Sequence, residues 1–132
     1  MATVLVLEDE LSVLQIIDLI LRTAGYSVLA AQSSEEAMRV CDQHKGPIEL
    51  LIANILLGQE TGAEAAARLR AKRPQMRVLF ISGYPAEDLI ARRMLDPSLF
   101  EPGTAFFLQK PFTPTALLMK LQEILVRHMS AH

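Results

Sequence analysis

Short, almost continuous apolar runs alternate along the chain with longer segments in which apolar residues recur at helical spacing. A continuous apolar run is typical of a strand that is covered on both faces, whereas apolar positions three and four residues apart indicate an amphipathic helix. The pattern therefore predicts five strand–helix units. The predicted strands span residues 3–7, 26–31, 48–53, 76–81 and 105–109.

Residue types at the helix ends support this division. Ser33 with Glu36, and Thr61 with Glu64, have the spacing of capping boxes, in which each side chain accepts a hydrogen bond from the backbone N–H of the other residue. Gly25 can adopt the left-handed conformation that ends a helix. Thr113 followed by a proline predicts the start of the last helix. The five helices are expected to end near residues 24, 44, 72, 95 and 128.

Crossovers between parallel strands are almost always right-handed, so five strand–helix units predict an open, doubly wound α/β sheet with helices on both faces. Ligands of such sheets bind beyond the carboxyl ends of the strands. Polar residues stand at four of these ends: Glu8 and Asp9 after the first strand, Asn54 after the third, Ser82 after the fourth and Lys110 after the fifth. We therefore expect these side chains to share one pocket.

The residue types in this predicted pocket indicate phosphate and metal chemistry. Two adjacent carboxylates, Glu8 and Asp9, repel each other unless a cation intervenes, and oxygen ligands suit Mg²⁺. Lys110 supplies a positive charge and Ser82 a hydroxyl donor, and together these groups could hold the oxygens of a phosphoryl group. A nucleophile is the part that the pocket lacks.

The stretches VLVLEDE, IELLIANILL, VLFISGY and FFLQKPF resemble the chemotaxis-regulator-like receiver domains of two-component response regulators over essentially the whole chain. The resemblance implies a flavodoxin-like sheet with strand order 2-1-3-4-5 and a Mg²⁺ site at Glu8, Asp9 and Asn54. It also implies phosphoryl transfer from a histidine kinase or histidine phosphotransferase, with Ser82 and Phe107 as switch residues. The bond between Lys110 and Pro111 is expected to be cis.

The chain departs from this family at the centre of the site, because Asn54 stands where the family has its phospho-accepting aspartate. An amide is a poor nucleophile, so the chain as written is not expected to be phosphorylated. Two explanations remain open: a natural pseudo-receiver that signals without phosphate, and a deliberate Asp→Asn substitution. A second departure is Gly58, where the family commonly has proline, which predicts a looser loop after the third strand.

Length, charge and cysteine content limit the number of domains, the partners and the cellular compartment that the sequence predicts. A length of 132 residues fits a single domain over 1–132, and a formal net charge of −2 with dispersed basic residues argues against direct nucleic-acid binding. The lone Cys41, with no leader or membrane-spanning apolar run, favours the cytoplasm. Cys41 itself is expected to be a small core residue.

We expect a switchable binding module rather than an enzyme. It is expected to contact a downstream protein through the helix 4–strand 5–helix 5 face, and a homodimer is a further expectation. Leu99 and Phe100, in a loop beside that face, could either tuck into the core or form an exposed contact. Two alternatives of other classes are a small Mg²⁺-dependent phosphatase and a flavin binder. The first would want a D-x-D pair and the second a Ser/Thr/Gly-rich loop, and the chain has neither at these strand ends.

Overall fold

The computed structural model describes residues 2–57, 60–100 and 103–130, with backbone only over 127–130. Strands and helices alternate in the predicted order. The strands are β1 (Thr3–Leu7), β2 (Ser27–Ala31), β3 (Leu50–Asn54), β4 (Arg77–Ser82) and β5 (Ala105–Gln109). The helices are α1 (Leu11–Thr23), α2 (Ser34–Gln43), α3 (Gly62–Lys72), α4 (Ala86–Ala91) and α5 (Pro114–Ser130), with a short 3₁₀ helix over Pro97–Phe100.

All five strands lie in one parallel sheet in the order β2-β1-β3-β4-β5, which confirms the predicted doubly wound, flavodoxin-like architecture. Two apolar clusters cover the sheet, one on each face. Residues of α1 and α5 pack on one face, and residues of α2, α3 and α4 pack on the other. Because β3 is buried along its whole length, its last residue, Asn54, is held by core packing at the carboxyl edge of the sheet.

The predicted helix starts are confirmed with one correction. Thr61 and Glu64 form a complete capping box, and Thr113 Oγ1 accepts a hydrogen bond from the backbone N–H of Ala116. At α2 only half of the predicted box is present, because Ser33 caps the helix while the Glu36 carboxylate accepts from the N–H of Gln32 instead. The extended conformation of Ser33 still ends the preceding segment and starts the helix there.

Helix α4 is shorter than the sequence predicts. It ends at Ala91, because Arg93 has a left-handed φ of 59° and the N–H of Met94 bonds back to the carbonyl of Leu89. This turn places Leu95 in the core, at 2% exposure. The sequence has no glycine at that turn, so the apolar pattern predicts a helix that continues to Leu95.

Two further predictions concern exposure. Leu99 and Phe100 are half-buried and pack against the cluster beneath α3 and α4, so the structure favours the core alternative for these residues. Cys41 is buried, as expected.

Gly58, where the sequence predicts a looser loop, lies outside the described residues. None of the helices in the described part of the chain has the length and apolar character needed to span a membrane.

Candidate functional site

The structure brings the polar residues of four strands to one edge of the sheet. Glu8 follows β1, Asn54 ends β3, Ser82 ends β4 and Lys110 follows β5. Backbone hydrogen bonds tie these ends together: the N–H of Ile55 donates to the carbonyl of Ile81 at 2.9 Å, and the N–H of Lys110 donates to that of Ser82 at 2.7 Å. The parallel register therefore fixes the relative positions of the site residues.

Glu8 is the centre of the pocket, and its side chain is fully buried. The amide nitrogen Nδ2 of Asn54 lies 3.1 Å from each of the two carboxylate oxygens of Glu8. Lys110 Nζ donates to Oε1 at 3.1 Å, and the backbone N–H of Glu10 donates to Oε2 at 3.1 Å. Three of the predicted site residues, Glu8, Asn54 and Lys110, thus form one directly bonded group.

The two adjacent carboxyl groups have pKa values shifted in opposite directions. Burial alone would raise the pKa of Glu8, but hydrogen bonds from Glu10, Asp9, Asn54 and Lys110 outweigh it and leave the pKa below its ordinary value. Asp9 is exposed as a residue, yet partial loss of solvent and the neighbouring Glu8 carboxylate raise the pKa of its carboxyl group. The ionised form is therefore favoured at Glu8 and disfavoured at Asp9.

The remaining side-chain oxygens of the pocket accept hydrogen bonds from backbone N–H groups. Asn54 Oδ1 accepts a hydrogen bond from the N–H of Leu56 at 3.3 Å, and Ser82 Oγ accepts one from the N–H of Tyr84 at 3.0 Å. Sequence reasoning did not single out Leu56 or Tyr84, since they contribute backbone groups. Their position two residues after a polar strand end is the only signal that could have found them.

Gly62 is a further residue that sequence reasoning missed. A Cβ atom on this glycine would lie 2.2 Å from the backbone oxygen of Asn54 and 3.1 Å from Cα of Ile55. Its N–H donates to the carbonyl of Ile55 at 2.7 Å. The first turn of α3 is therefore pressed directly against the end of β3. The signal in the sequence is a glycine at the first position of a well-capped helix, where glycine is otherwise disfavoured.

The predicted switch residues lie on neighbouring strands. Ser82 is fully buried at the end of β4 and pairs with Gln109 across the sheet, while Phe107 is half-buried on β5 and packs against the cluster beneath α3 and α4. The Lys110–Pro111 peptide bond is cis, as the resemblance implied. Phe107 and Ser82 thus lie on adjacent strands, and their role as switch residues stays a prediction.

The arrangement does not fit a resident Mg²⁺ ion. Within residues 2–57, 60–100 and 103–130, no three His, Cys, Asp or Glu side chains are placed to hold a metal. Across the same part of the chain, every buried side-chain nitrogen and oxygen already has a hydrogen-bond partner. Both oxygens of Glu8 face donor groups rather than an open coordination position.

Asp9 borders a polar cleft beside this pocket, with a volume of about 490 Å³. The cleft is also lined by the β2–α2 connection and by residues around the start of α3: Gln32, Ser33, Ser34, Glu35, Glu60 and Arg68. Arg68 donates to Ser34 Oγ at 2.9 Å and is paired with Glu60, so this cation belongs to a local network. The predicted site residue Asp9 therefore neighbours the Glu8 carboxylate and also lines this solvent-filled cleft.

A doubly wound sheet with acidic, amide, hydroxyl and lysine side chains at its carboxyl edge defines the class of α/β proteins whose ligand site lies at that edge. Residues 4–122 match the family model of the response regulator receiver domain. The chain belongs to the response regulator receiver-domain family. Domains of this family are generally signalling modules, they generally bind Mg²⁺, and they partner with histidine kinases or downstream effectors.

Individual relatives agree with the family. The sensor kinase CckA of Brucella abortus is 32% identical over 124 residues, which cover 94% of this chain and 12% of the kinase. The alginate biosynthesis transcriptional regulatory protein AlgB of Pseudomonas syringae is 28% identical, covering 97% of this chain and 27% of that protein. The chain thus spans only a small part of these relatives. A response regulator receiver domain protein from Clostridium thermocellum superposes with a TM-score of 0.81 at 25% identity, with all of both chains covered.

Proposed function

We propose that the chain, as a single domain over 1–132, is a receiver module of a two-component phosphorelay whose acceptor position is filled by Asn54. The observation that carries this proposal is the position of Asn54: it ends β3 and lies within 3.1 Å of both carboxylate oxygens of Glu8. A carboxylate oxygen can attack a phosphoryl group and form an acyl phosphate, whereas an amide is neutral and a poor nucleophile. The chain as written does not accept a phosphoryl group.

Ser82 and Lys110 keep the residue types that would hold phosphoryl oxygens in an Asn54→Asp variant. A phosphoryl group adds a charge of about −1.5 to −2, which attracts the ammonium group of Lys110 and the hydroxyl of Ser82. Phe107 is the proposed switch aromatic. Because Phe107 has no hydroxyl, its rearrangement is controlled by packing alone, and moving it from mostly off to mostly on requires about 5.5 kcal/mol of differential stabilisation.

In an Asn54→Asp variant, Mg²⁺ would be held by the carboxylates of Glu8, Asp9 and residue 54, and it would supply the charge neutralisation that phosphoryl transfer needs. In the chain with Asn54, called the native chain below, residue 54 and Glu8 are already bonded to each other. We therefore propose that Mg²⁺ binds more weakly to the native chain than to the Asn54→Asp variant.

The proposed upstream partner is a histidine kinase or histidine phosphotransferase, which fits the sensor kinase and transcriptional regulators among the relatives. The proposed downstream partner is a protein that binds the α4–β5–α5 face, and a homodimer is a second proposed assembly. The buried, lone Cys41 supports a cytoplasmic setting. Within this role the chain acts as a binding module rather than as an enzyme.

A second candidate is a pseudo-receiver that binds its partner without any phosphorylation. The observation that favours it is the bonding of Asn54 and Lys110 to Glu8, which satisfies the pocket in the absence of a phosphoryl group. Under this proposal the asparagine is native. Under the first, it is a substitution that holds the module unphosphorylated.

The proposed function is tested by the response of the switch to a phosphodonor. Backbone amide NMR spectra of the native chain and the Asn54→Asp variant are recorded before and after adding acetyl phosphate and MgCl₂. We expect the Asn54→Asp signals of Ser82, Phe107 and Lys110 to shift, and those of the native chain to stay in place. A response of the same size in the native chain would contradict the proposal that Asn54 disables it.

The Asn54→Asp variant with Lys110→Met added is the control for the phosphoryl contacts. Its signals at Ser82 and Phe107 are expected to respond less than those of Asn54→Asp alone, because the cation that contacts the phosphoryl oxygens is missing. An equal response would remove Lys110 from the proposed machinery.

A further inference from the structure

The fully buried carboxylate of Glu8 is compensated entirely by groups of the chain itself. Burying an ionised carboxylate is costly unless it is paired and hydrogen-bonded. Glu8 receives bonds from Lys110 Nζ on Oε1, from the Glu10 N–H on Oε2, and from Asn54 Nδ2 on both oxygens, each at 3.1 Å. One full positive charge and two neutral donors therefore face this one negative charge, and the neighbouring Asp9 carboxyl group also bonds to it.

The identity of residue 54 decides whether this compensation succeeds. With aspartate there, a second carboxylate would lie at the place from which Nδ2 now donates, close to both oxygens of Glu8. Two such carboxylates repel each other, and Lys110 alone would face both charges. A divalent cation would then be needed to balance them. The asparagine amide removes one negative charge and adds donors in the same position.

The other polar atoms of the pocket already have hydrogen-bond partners within the chain, so none of them needs a ligand. Oδ1 of Asn54 and Oγ of Ser82 accept backbone hydrogen bonds. Among the residues that the structure describes, no buried side-chain nitrogen or oxygen is left without a partner. An ion that enters the pocket would therefore have to replace hydrogen bonds that Glu8 already accepts.

We infer that the pocket is self-neutralised: Asn54 and Lys110 together compensate Glu8 in the way that a divalent cation would, so that the native fold and pocket are independent of Mg²⁺. This inference deepens the proposed function, on which it rests only in taking position 54 as the acceptor position. The signalling state of the module is then insensitive to the supply of Mg²⁺ as well as to phosphodonors.

Thermal unfolding of the full chain, in EDTA and in excess MgCl₂, tests the inference. The variants compared are Asn54→Asp and, as a charge-matched control on the exposed surface of α5, Gln122→Glu. In EDTA we expect Asn54→Asp to unfold several degrees below the native chain, and MgCl₂ to restore most of that loss. The native chain is expected to shift with MgCl₂ no more than Gln122→Glu does.

Asn54→Leu keeps the inference testable if Asn54→Asp does not fold. Leucine is close to asparagine in size but donates no hydrogen bond to Glu8, so we expect a lower unfolding temperature than that of the native chain. A native unfolding temperature in Asn54→Leu would overturn the inference. So would a stabilisation of the native chain by MgCl₂ as large as that of Asn54→Asp. Neither experiment contains a phosphodonor, so their outcomes are separate from a failure of the proposed function.

Discussion

Asn54 changes two properties of the pocket through a single side chain, its charge and its hydrogen-bonding capacity. An aspartate carboxylate only accepts hydrogen bonds, whereas the asparagine amide also donates two. In this chain those donors contact the buried carboxylate of Glu8. The residue therefore affects the stability of the unphosphorylated protein as well as its ability to take part in phosphoryl transfer.

The neighbouring carboxyl groups of Glu8 and Asp9 should affect stability with opposite sign. The folded pKa of Glu8 is lowered, so its contribution is present above its ordinary pKa of about 4.5 and is lost as the pH falls through the lower folded value. The folded pKa of Asp9 is raised, so its contribution is lost as the pH rises through that value.

Urea unfolding of Glu8→Gln and Asp9→Asn at a series of acidic to neutral pH values tests whether the two carboxyl groups affect stability with opposite sign. We expect Glu8→Gln to be less stable than the native chain at neutral pH and to lose less stability in acid. We expect Asp9→Asn to be the more stable of the two variants at neutral pH. Parallel stability curves for all three proteins would show that neither carboxyl group is coupled to folding as described.

Residue types in the sequence were enough to predict which side chains meet, but not how they bond. Glu8, Asn54 and Lys110 could be placed together because the carboxyl ends of parallel strands share one edge. The position of Asn54 Nδ2 against both oxygens of Glu8 depends on side-chain rotamers and burial, which no residue pattern encodes. The place of Asp9 at the solvent side was missed for the same reason.

Among the secondary structure elements, agreement is closest where local chemistry fixes the end. The capping residues Thr61 and Thr113 start α3 and α5 as predicted, and β1 and β5 have the predicted bounds. Helix α4 is the exception. It ends at Ala91 and is followed by left-handed Arg93 and buried Leu95, so tertiary packing overrides the local pattern there.

The junction between β3 and α3 gives a prediction about an element rather than a single side chain. In Gly62→Ala, the new Cβ would lie 2.2 Å from the backbone oxygen of Asn54, so the end of β3 or the start of α3 must move. We expect a clear loss of stability together with altered amide shifts around Asn54. NMR spectra and thermal unfolding measure both effects.

Gly83→Ala is the matched control, because a Cβ at Gly83 meets no atom within 4 Å. This second glycine also lies at the carboxyl edge of the sheet, directly after Ser82, so it tests proximity to the pocket without the backbone clash. We expect its unfolding temperature to stay close to that of the native chain. Equal decreases in unfolding temperature for the two variants would show that the β3–α3 contact does not position the site residues.

At the scale of the whole molecule, the alternation of apolar runs with amphipathic segments predicted the five-stranded doubly wound sheet, and the strand order implied by the resemblance is confirmed. Both faces of the sheet are covered, so the carboxyl edge is where polar chemistry accumulates.

Intact-protein mass after incubation with acetyl phosphate and MgCl₂ tests the central claim most directly. The claim is that this chain is a receiver whose pocket lacks only its nucleophile. We expect the Asn54→Asp variant to gain the mass of one phosphoryl group, with the modification at position 54, and the native chain to gain none. Phosphorylation of the native chain, or of neither protein while the variant stays folded, would contradict the account.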